Sequence, residues 1–373
     1  MNILLAGGGL QGLSCGASLY KNHSVSVWGK SLQTEKCRFF EQCFDFVQGK
    51  DEDLFGILEK DKYDVVIPIS DFTVPFISKH KKAIEDRFGV KCAVPDYEQV
   101  YIVEDKSRFM SFCDANEVPH PKTKRLSEDT LEDAVSYVGF PSLIKPDYSV
   151  GARGITRVNS LEELKEKYPD VSEKFGSCTL QELIENQEYY YNVMLYRNKE
   201  GKFLGHTILK IVRMYPVTAG SSSCGITVEN DELLNICKNC LNKLNWVGMA
   251  DFDVLQRLDN GEYKIIEINP RVPASLRAAA VSGVNFPIII AYDAMGTVVP
   301  RQIYASGKTL RYMGIDLMWF LKSHKMFSTN PSWFKFFGKN LYYQDIYKED
   351  TSTWWTWLAE GLTKISKRNK KLR

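Results

Sequence analysis

Over its first hundred residues the chain alternates short strand-like apolar runs with mixed stretches of helical period. The runs fall at Ile3–Ala6, Val25–Trp28, Val65–Ile69 and Lys91–Val94. Near-continuous apolarity is what strands buried on both faces require, so this region is expected to form a parallel α/β sheet. Pro119, Pro121 and Pro141 punctuate the next region, ahead of a strand at Ser142–Lys145 and a glycine-bearing loop. Residues 179–197 are expected to form a strand, a hinge and a second strand. Leu233, Leu234, Ile236, Cys237, Cys240, Leu241 and Leu244 recur at helical spacing and predict a helix over 231–245. A hairpin over 249–269 and a small-residue helix over 273–295 complete the pattern.

Composition narrows the class. A chain of 373 residues with 44% hydrophobic and 25% charged positions should pack into two or three units and is not disordered. A net charge of +2 gives no broad basic field, so no nucleic-acid partner is expected. The exception is Lys364, Lys367, Arg368, Lys370, Lys371 and Arg373, read either as a solvated end or as a contact for an acidic surface. The start lacks the basic and long apolar regions of a signal peptide, and no apolar run is long enough to span a membrane. Nine scattered cysteines fit reduced thiols and a cytoplasmic location. Cys237 and Cys240 sit in the helical pattern with no second ligand pair, which favours packing over zinc.

The chemistry concentrates in Gly248–Arg271. Two extended runs flank Asp259-Asn260-Gly261. A three-residue loop pairs Leu258 with Glu262 and sets Asp253 opposite Glu267, with Asn269 on the same face. A two-residue Asn-Gly turn would pair Asp253 with Ile268 and split the trio. Facing carboxylates repel by about 0.2–1 kcal/mol even when exposed, and a cation between them removes the penalty. Two acids and an amide are hard oxygen ligands that suit magnesium, with manganese as the substitute, better than zinc. The competing reading is a polar, solvated hairpin face.

A second element could hold phosphate. The strand ending in Lys145 runs into Ser149, Gly151 and Gly154, a loop whose N–H groups could close over phosphate oxygens beside the lysine's point charge. It is not a Walker A motif, and an ordinary surface turn is the plain alternative. Gly7–Gly12 satisfies GxGxxG, but the second strand ends at Trp28-Gly29-Lys30, with lysine where a dinucleotide site needs an acid. That turn is read as close packing, and a nicotinamide oxidoreductase is set aside.

Taken in order, these motifs resemble the ATP-grasp superfamily over roughly residues 1–300. The branches most similar are carbamoyl phosphate synthetase large-subunit-like proteins and D-aspartate ligase-like carboxylate–amine ligases. The resemblance rests on Asp105-Lys106, Ile144-Lys145-Pro146 with its glycine loop, Leu180-Gln181-Glu182-Leu183-Ile184 with Glu188, and Asp253…Glu267-Ile268-Asn269-Pro270-Arg271. It implies an α/β pre-ATP-grasp domain over 1–100 and a two-lobed α+β ATP-grasp domain over 101–300 with a lid at about 117–190, and it covers poorly an aromatic, basic C-terminal extension over 301–373. It also implies ATP and magnesium as cofactors and a ligase that passes a small carboxylate, through an acyl phosphate, to an amine. Lys106 and Lys145 would hold the α- and β-phosphates, and the 149–154 loop the γ-phosphate. Gln181, Glu182 and Ile184 would line the adenine and Glu188 the ribose. Asp253, Glu267 and Asn269 would hold the metal, and Arg271 would stabilise the acyl phosphate. A nucleotide-binding regulator without chemistry is the alternative.

Three assignments rest on less. The basic, glycine-serine segment 210–223 is expected either as a substrate loop, with Arg213 near the γ-phosphate, or as a plain surface loop. Asp71 follows the strand at Val65–Ile69, where α/β sheets bind ligands, and is a candidate acceptor contact. Five of the seven tryptophans lie beyond residue 300, at 319, 333, 354, 355 and 357. They are expected to pack on the core or on a second copy in a homodimer. The sharper reading sets Trp354, Trp355 and Trp357 at a membrane interface with the basic tail facing anionic lipid.

Overall fold

The computed structural model describes residues 1–148, 153–186, 189–217, 220–353 and 355–356. The first sheet holds β1 (Asn2–Ala6), β2 (Ser24–Trp28), β3 (Gln42–Phe44), β4 (Val65–Pro68) and β5 (Lys91–Cys92). All are parallel, in the order β3-β2-β1-β4-β5. The crossovers reverse direction between β1 and β4, which opens a crevice at their carboxyl ends, where such sheets receive ligands. Asp71 follows β4 into that crevice. The GxGxxG turn instead serves packing. A side chain at Gly8 would lie 2.2 Å from the Gly29 carbonyl oxygen, so glycine is needed for the two turns to meet. Lys30 pairs with Glu35 at 2.9 Å.

A four-stranded antiparallel sheet follows, built from β6 (Thr123–Arg125), β7 (Ser142–Pro146), β8 (Thr156–Val158) and β9 (Cys178–Glu182) in the order β6-β9-β7-β8. The helices Leu131–Val138 and Leu161–Phe175 cover it. It has its own core of Leu126, Leu131, Ile144, Leu164, Val171 and Leu180, as a lobe that moves as one body would need.

The largest sheet has seven strands: β10 (Tyr190–Arg197), β11 (Phe203–Tyr215), β12 (Ser221–Thr227), β13 (Gly248–Gln256), β14 (Tyr263–Asn269), β15 (Thr309–Arg311) and β16 (Leu341–Tyr343). Their order is β14-β13-β10-β11-β12-β15-β16. The helix Asp231–Lys243 lays Leu233, Cys237, Cys240 and Leu241 on one face of it, against Val193, Phe252 and Ile265. Cys237 and Cys240 are therefore core residues, and all nine cysteines are free. A second core joins this sheet to the first, bringing Ile3, Leu5 and Ile67 together with Met194, Val272 and Phe286.

Several expectations change. The single helix over 273–295 is two, Arg277–Val281 and Phe286–Ala294. They part at Gly283, whose φ is +89° and where a Cβ would lie 2.2 Å from the Ile303 carbonyl oxygen. Segment 210–223 is largely paired β11 and β12 rather than a loop. Beyond 301 the described residues pack back on the core, as one of the two readings of the tryptophans expects. β15 and β16 extend the large sheet, while Tyr347 reaches back to Ser14 (2.9 Å) and Asp350 accepts from the Arg38 N–H (2.5 Å).

Candidate active site

The β13–β14 hairpin carries the central carboxylates, and the structure pairs Asp253 with Glu267 as expected, though by another route. Arg257 and Glu262 close the turn, giving four loop residues, and Gln256 pairs with Tyr263. Continued unbroken, that register would set Asp253 opposite Ile266. A β-bulge between the Val254–Ile265 and Asp253–Glu267 pairs adds one residue and restores the phase. Burial follows it: Tyr263 and Ile265 are buried, Ile266 and Glu267 are both partly exposed, and Ile268 is buried again.

Asp251 pairs with Asn269 on the same ladder, and sits two residues from Asp253, so it shares that face. Asn192, on the neighbouring β10, donates to Asp253 Oδ1 at 3.2 Å, and Ser275 Oγ donates to Asn192 Oδ1 at 3.2 Å. Burial and the facing Glu267 push the Asp253 carboxyl well up from its usual range. Burial and Asp253 do the same to Asp251, which is 2% exposed with Oδ1 unpaired within the described chain. Burial and mutual repulsion thus both disfavour the charged form of these two carboxyls. Asp251, Asn192 and Ser275 escape a reading based on spacing, although the two-residue offset from Asp253 was a usable signal for Asp251.

Two lysines approach these acids. Lys106, first residue of the helix Lys106–Ala115, lies 3.8 Å from Glu267 Oε2. Lys145 on β7 is 8% exposed and donates to Gln181 Oε1 at 2.5 Å, and Gln181 Nε2 donates to Thr123 at 3.0 Å. Burial, with Lys106 nearby, pushes the Lys145 ammonium down to about 8, although Glu267 and Asp253 oppose the shift. Asp105 caps the helix that begins at Lys106 and takes two bonds from Arg125 of β6, at 2.7 and 2.6 Å. Arg125 also lies 3.3 Å from Asp147, just before the glycine loop.

In the 181–184 stretch, Glu182 N–H donates to the Lys122 carbonyl and Leu183 N–H to the Pro141 carbonyl. The Glu182 side chain is held by Arg257 at 2.5 Å. Ile184 is 5% exposed. Gly154 has φ +77° and a Cβ there would meet the Phe175 ring and Pro146, each at 2.8 Å, so this glycine is required by packing. Ser149, Gly151 and Glu188 lie outside the described residues.

Arg271 completes the centre. Its Nε and Nη2 donate to the two carboxylate oxygens of Asp71 at 2.7 and 3.1 Å, while Nη2 also lies 3.3 Å from Asn269 Oδ1 and Nη1 4.0 Å from Asp251. Burial disfavours the charge, but Asp71 outweighs it and holds the guanidinium pKa above its usual value. Asp71 therefore contacts the arginine. Arg213 departs from expectation. It is 1% exposed, Nε and Nη2 bind Asp316 at 2.7 and 2.9 Å, and Nη1 binds the Pro331 carbonyl at 2.7 Å. Every guanidinium nitrogen is engaged away from the carboxylates, so Arg213 anchors the fold and does not serve as a phosphate ligand.

Residues 103–275 match the family model described as ATP-grasp domain. Among curated proteins, the chain is 27% identical over 252 residues to the carbamoyl phosphate synthase large chain of Methanothermobacter thermautotrophicus, covering 62% of this chain and 23% of that one. It is 24% identical over 255 residues to D-aspartate ligase of Enterococcus faecium, covering 63% and 59%. The match thus spans less than two thirds of either relative. Among solved structures, biotin carboxylase from Campylobacter jejuni superposes with a TM-score of 0.67 at 16% identity, over 81% of this chain and 72% of that one. N5-carboxyaminoimidazole ribonucleotide synthetase from Thermotoga maritima gives 0.61 at 19%, over 81% and 78%. The family model thus runs across Lys106, Lys145 and the Asp253–Arg271 hairpin, and the stretch 103–275 is an ATP-grasp domain by that match.

Proposed function

We propose that the protein is a Mg-ATP-dependent ligase that converts a small carboxylate to an acyl phosphate and passes it to an amine, releasing ADP and phosphate. The observation that carries this is the convergence of Asp253, Glu267 and Asn269 with Lys106, Lys145 and Arg271. The donor set fits magnesium. It offers the hard oxygens of two facing carboxylates, Asp253 and Glu267, and of the Asn269 amide. A magnesium ion held by two carboxylates and an amide keeps positions for water and phosphate oxygens, and when bound it would neutralise charge on the γ-phosphate.

The chain's own residues supply the rest. Lys145, fixed by Gln181, would place a point charge on the phosphates, with Lys106 on the other side. The stretch Gln181–Ile184 would meet the adenine edge with its carbonyls and the Ile184 N–H, because the N–H groups of Glu182 and Leu183 are taken. Arg271 would face the oxygens on which charge accumulates as the acyl phosphate forms and collapses. The four-stranded lobe would close over the site and keep water from the intermediate. Similarity to D-aspartate ligase makes an amino-acid substrate the first class to screen.

The test is nucleotide analysis during turnover across amino acids and other small acids, with hydroxylamine as trap. ADP, phosphate and a hydroxamate are expected. AMP and pyrophosphate would mean an adenylate, and acid-independent binding without turnover would mean a nucleotide-binding regulator.

A further inference from the structure

The helix Met313–Lys322 is fixed on one side and bare on the other. Its inner side buries Asp316 and Trp319. Asp316 receives both Arg213 and Arg311, the latter at 2.9 and 2.6 Å, and the Trp333 indole donates to the Asp316 carbonyl at 3.1 Å. Its outer side presents Leu317 at 46% and Leu321 at 63% exposure. Beside it, Phe327 and Phe334 stack at 6.0 Å between centroids and are 75% and 52% exposed, and Phe337 is 90% exposed. Phe320 touches both stacked rings, so Phe320, Phe327 and Phe334 form one aromatic cluster next to the exposed leucines of the helix in sequence.

Scattered exposed apolar residues are ordinary, but a contiguous aromatic face on a rigid mount is not. The charge along this segment has one sign. From Leu317 to Gln344 the sequence contains no Asp or Glu, but has Lys322, Lys325, Lys335 and Lys339, all exposed. Exposed apolar and aromatic side chains interspersed with exposed lysines match the two layers of an anionic lipid surface: acyl boundary for the rings, headgroups for the ammonium groups. Another protein or a second copy would need acidic residues opposite those lysines.

We propose that this face docks on an anionic membrane surface. The docking claim stands on the face alone and does not need the ligase reading. Full-length protein is sedimented with vesicles of phosphatidylcholine plus phosphatidylglycerol and with phosphatidylcholine alone. Pelleting is expected with the mixed vesicles only, and should weaken with salt. The variants Leu321→Ser/Phe327→Ser/Phe337→Ser and Lys322→Glu/Lys335→Glu/Lys339→Glu should each lower partitioning about tenfold or more with ATP binding unchanged. Pelleting that both variants retain would move the contact elsewhere on the chain and overturn the proposal. Equal pelleting on both vesicle types would also overturn it, as would lipid-independent self-association abolished by the serine variant, which would assign the face to a second copy.

Discussion

Asp71 and Arg271 join two separate sheets through a two-pronged ion pair, at 2.7 and 3.1 Å, across the crevice where the β1–β4 crossovers reverse. Asp71 thereby sets the angle at which Arg271 meets Asn269. Asp71→Ala should lower kcat about tenfold to a hundredfold through lost positioning and leave the KM for ATP near wild type, since the phosphate lysines are untouched. Asp71→Asn, which keeps one acceptor, should fall between. Steady-state ADP release checks both, and equal loss in the two variants with a raised KM would point to a general folding defect.

Removing a carboxylate or the amide from the hairpin should be more severe. Glu267→Ala and Asn269→Ala are each expected to leave less than about a tenth of the ATP turnover, because a lost metal ligand costs several kcal/mol of transition-state stabilisation. Circular dichroism should be unchanged. Turnover retained above that level in either variant would remove the residue from the metal assignment.

Asp316 holds two buried guanidinium groups, so Asp316→Ala would leave both without their carboxylate. The expected loss is about 3–5 kcal/mol, read as a shift in the urea midpoint. Arg213→Met should also destabilise, and any fall in activity should follow the folded fraction.

Asp345 gives a pH signature. It is 1% exposed with no partner for either oxygen among the described residues, and burial, only partly offset by Arg277, pushes it up to about 6. The unfolded carboxyl ionises near 3.9. A raised folded value means this group's contribution is fully present below about pH 4 and is lost as the pH rises to about 6. Asp345→Asn should therefore stabilise the protein at pH 7 by about 1–3 kcal/mol, with the gain vanishing near pH 4. Thermal melts across that range check the sign.

The features legible in the sequence are those that short-range periodicity encodes. The strands at Ile3, Val25 and Val65, the helix over 231–245 and the facing pair Asp253–Glu267 all follow from it. Spacing reaches that pair through the wrong turn, since one bulge compensates for one extra loop residue, and Ile265, Ile266 and Ile268 do not reveal where the phase slips. Arg213 defeats a local reading because its partner lies 103 residues away and nothing nearby distinguishes a buried arginine from a substrate contact. The three-residue strands β3, β6, β8, β15 and β16 are too short to carry a period. The break at Gly283 depends on the approach of Ile303, which only tertiary packing supplies.

The return of Tyr347 and Asp350 to Ser14 and Arg38 also bears on how the chain is made. Phe39 packs edge-on against Tyr347, ring centres 5.3 Å apart, and Leu13 belongs to the same small core. During synthesis the first sheet emerges early and can form its strands, but this patch stays wet until some three hundred further residues have left the ribosome. A ribosome stalled before that point would hold the first sheet with an open apolar seam, which chaperones bind.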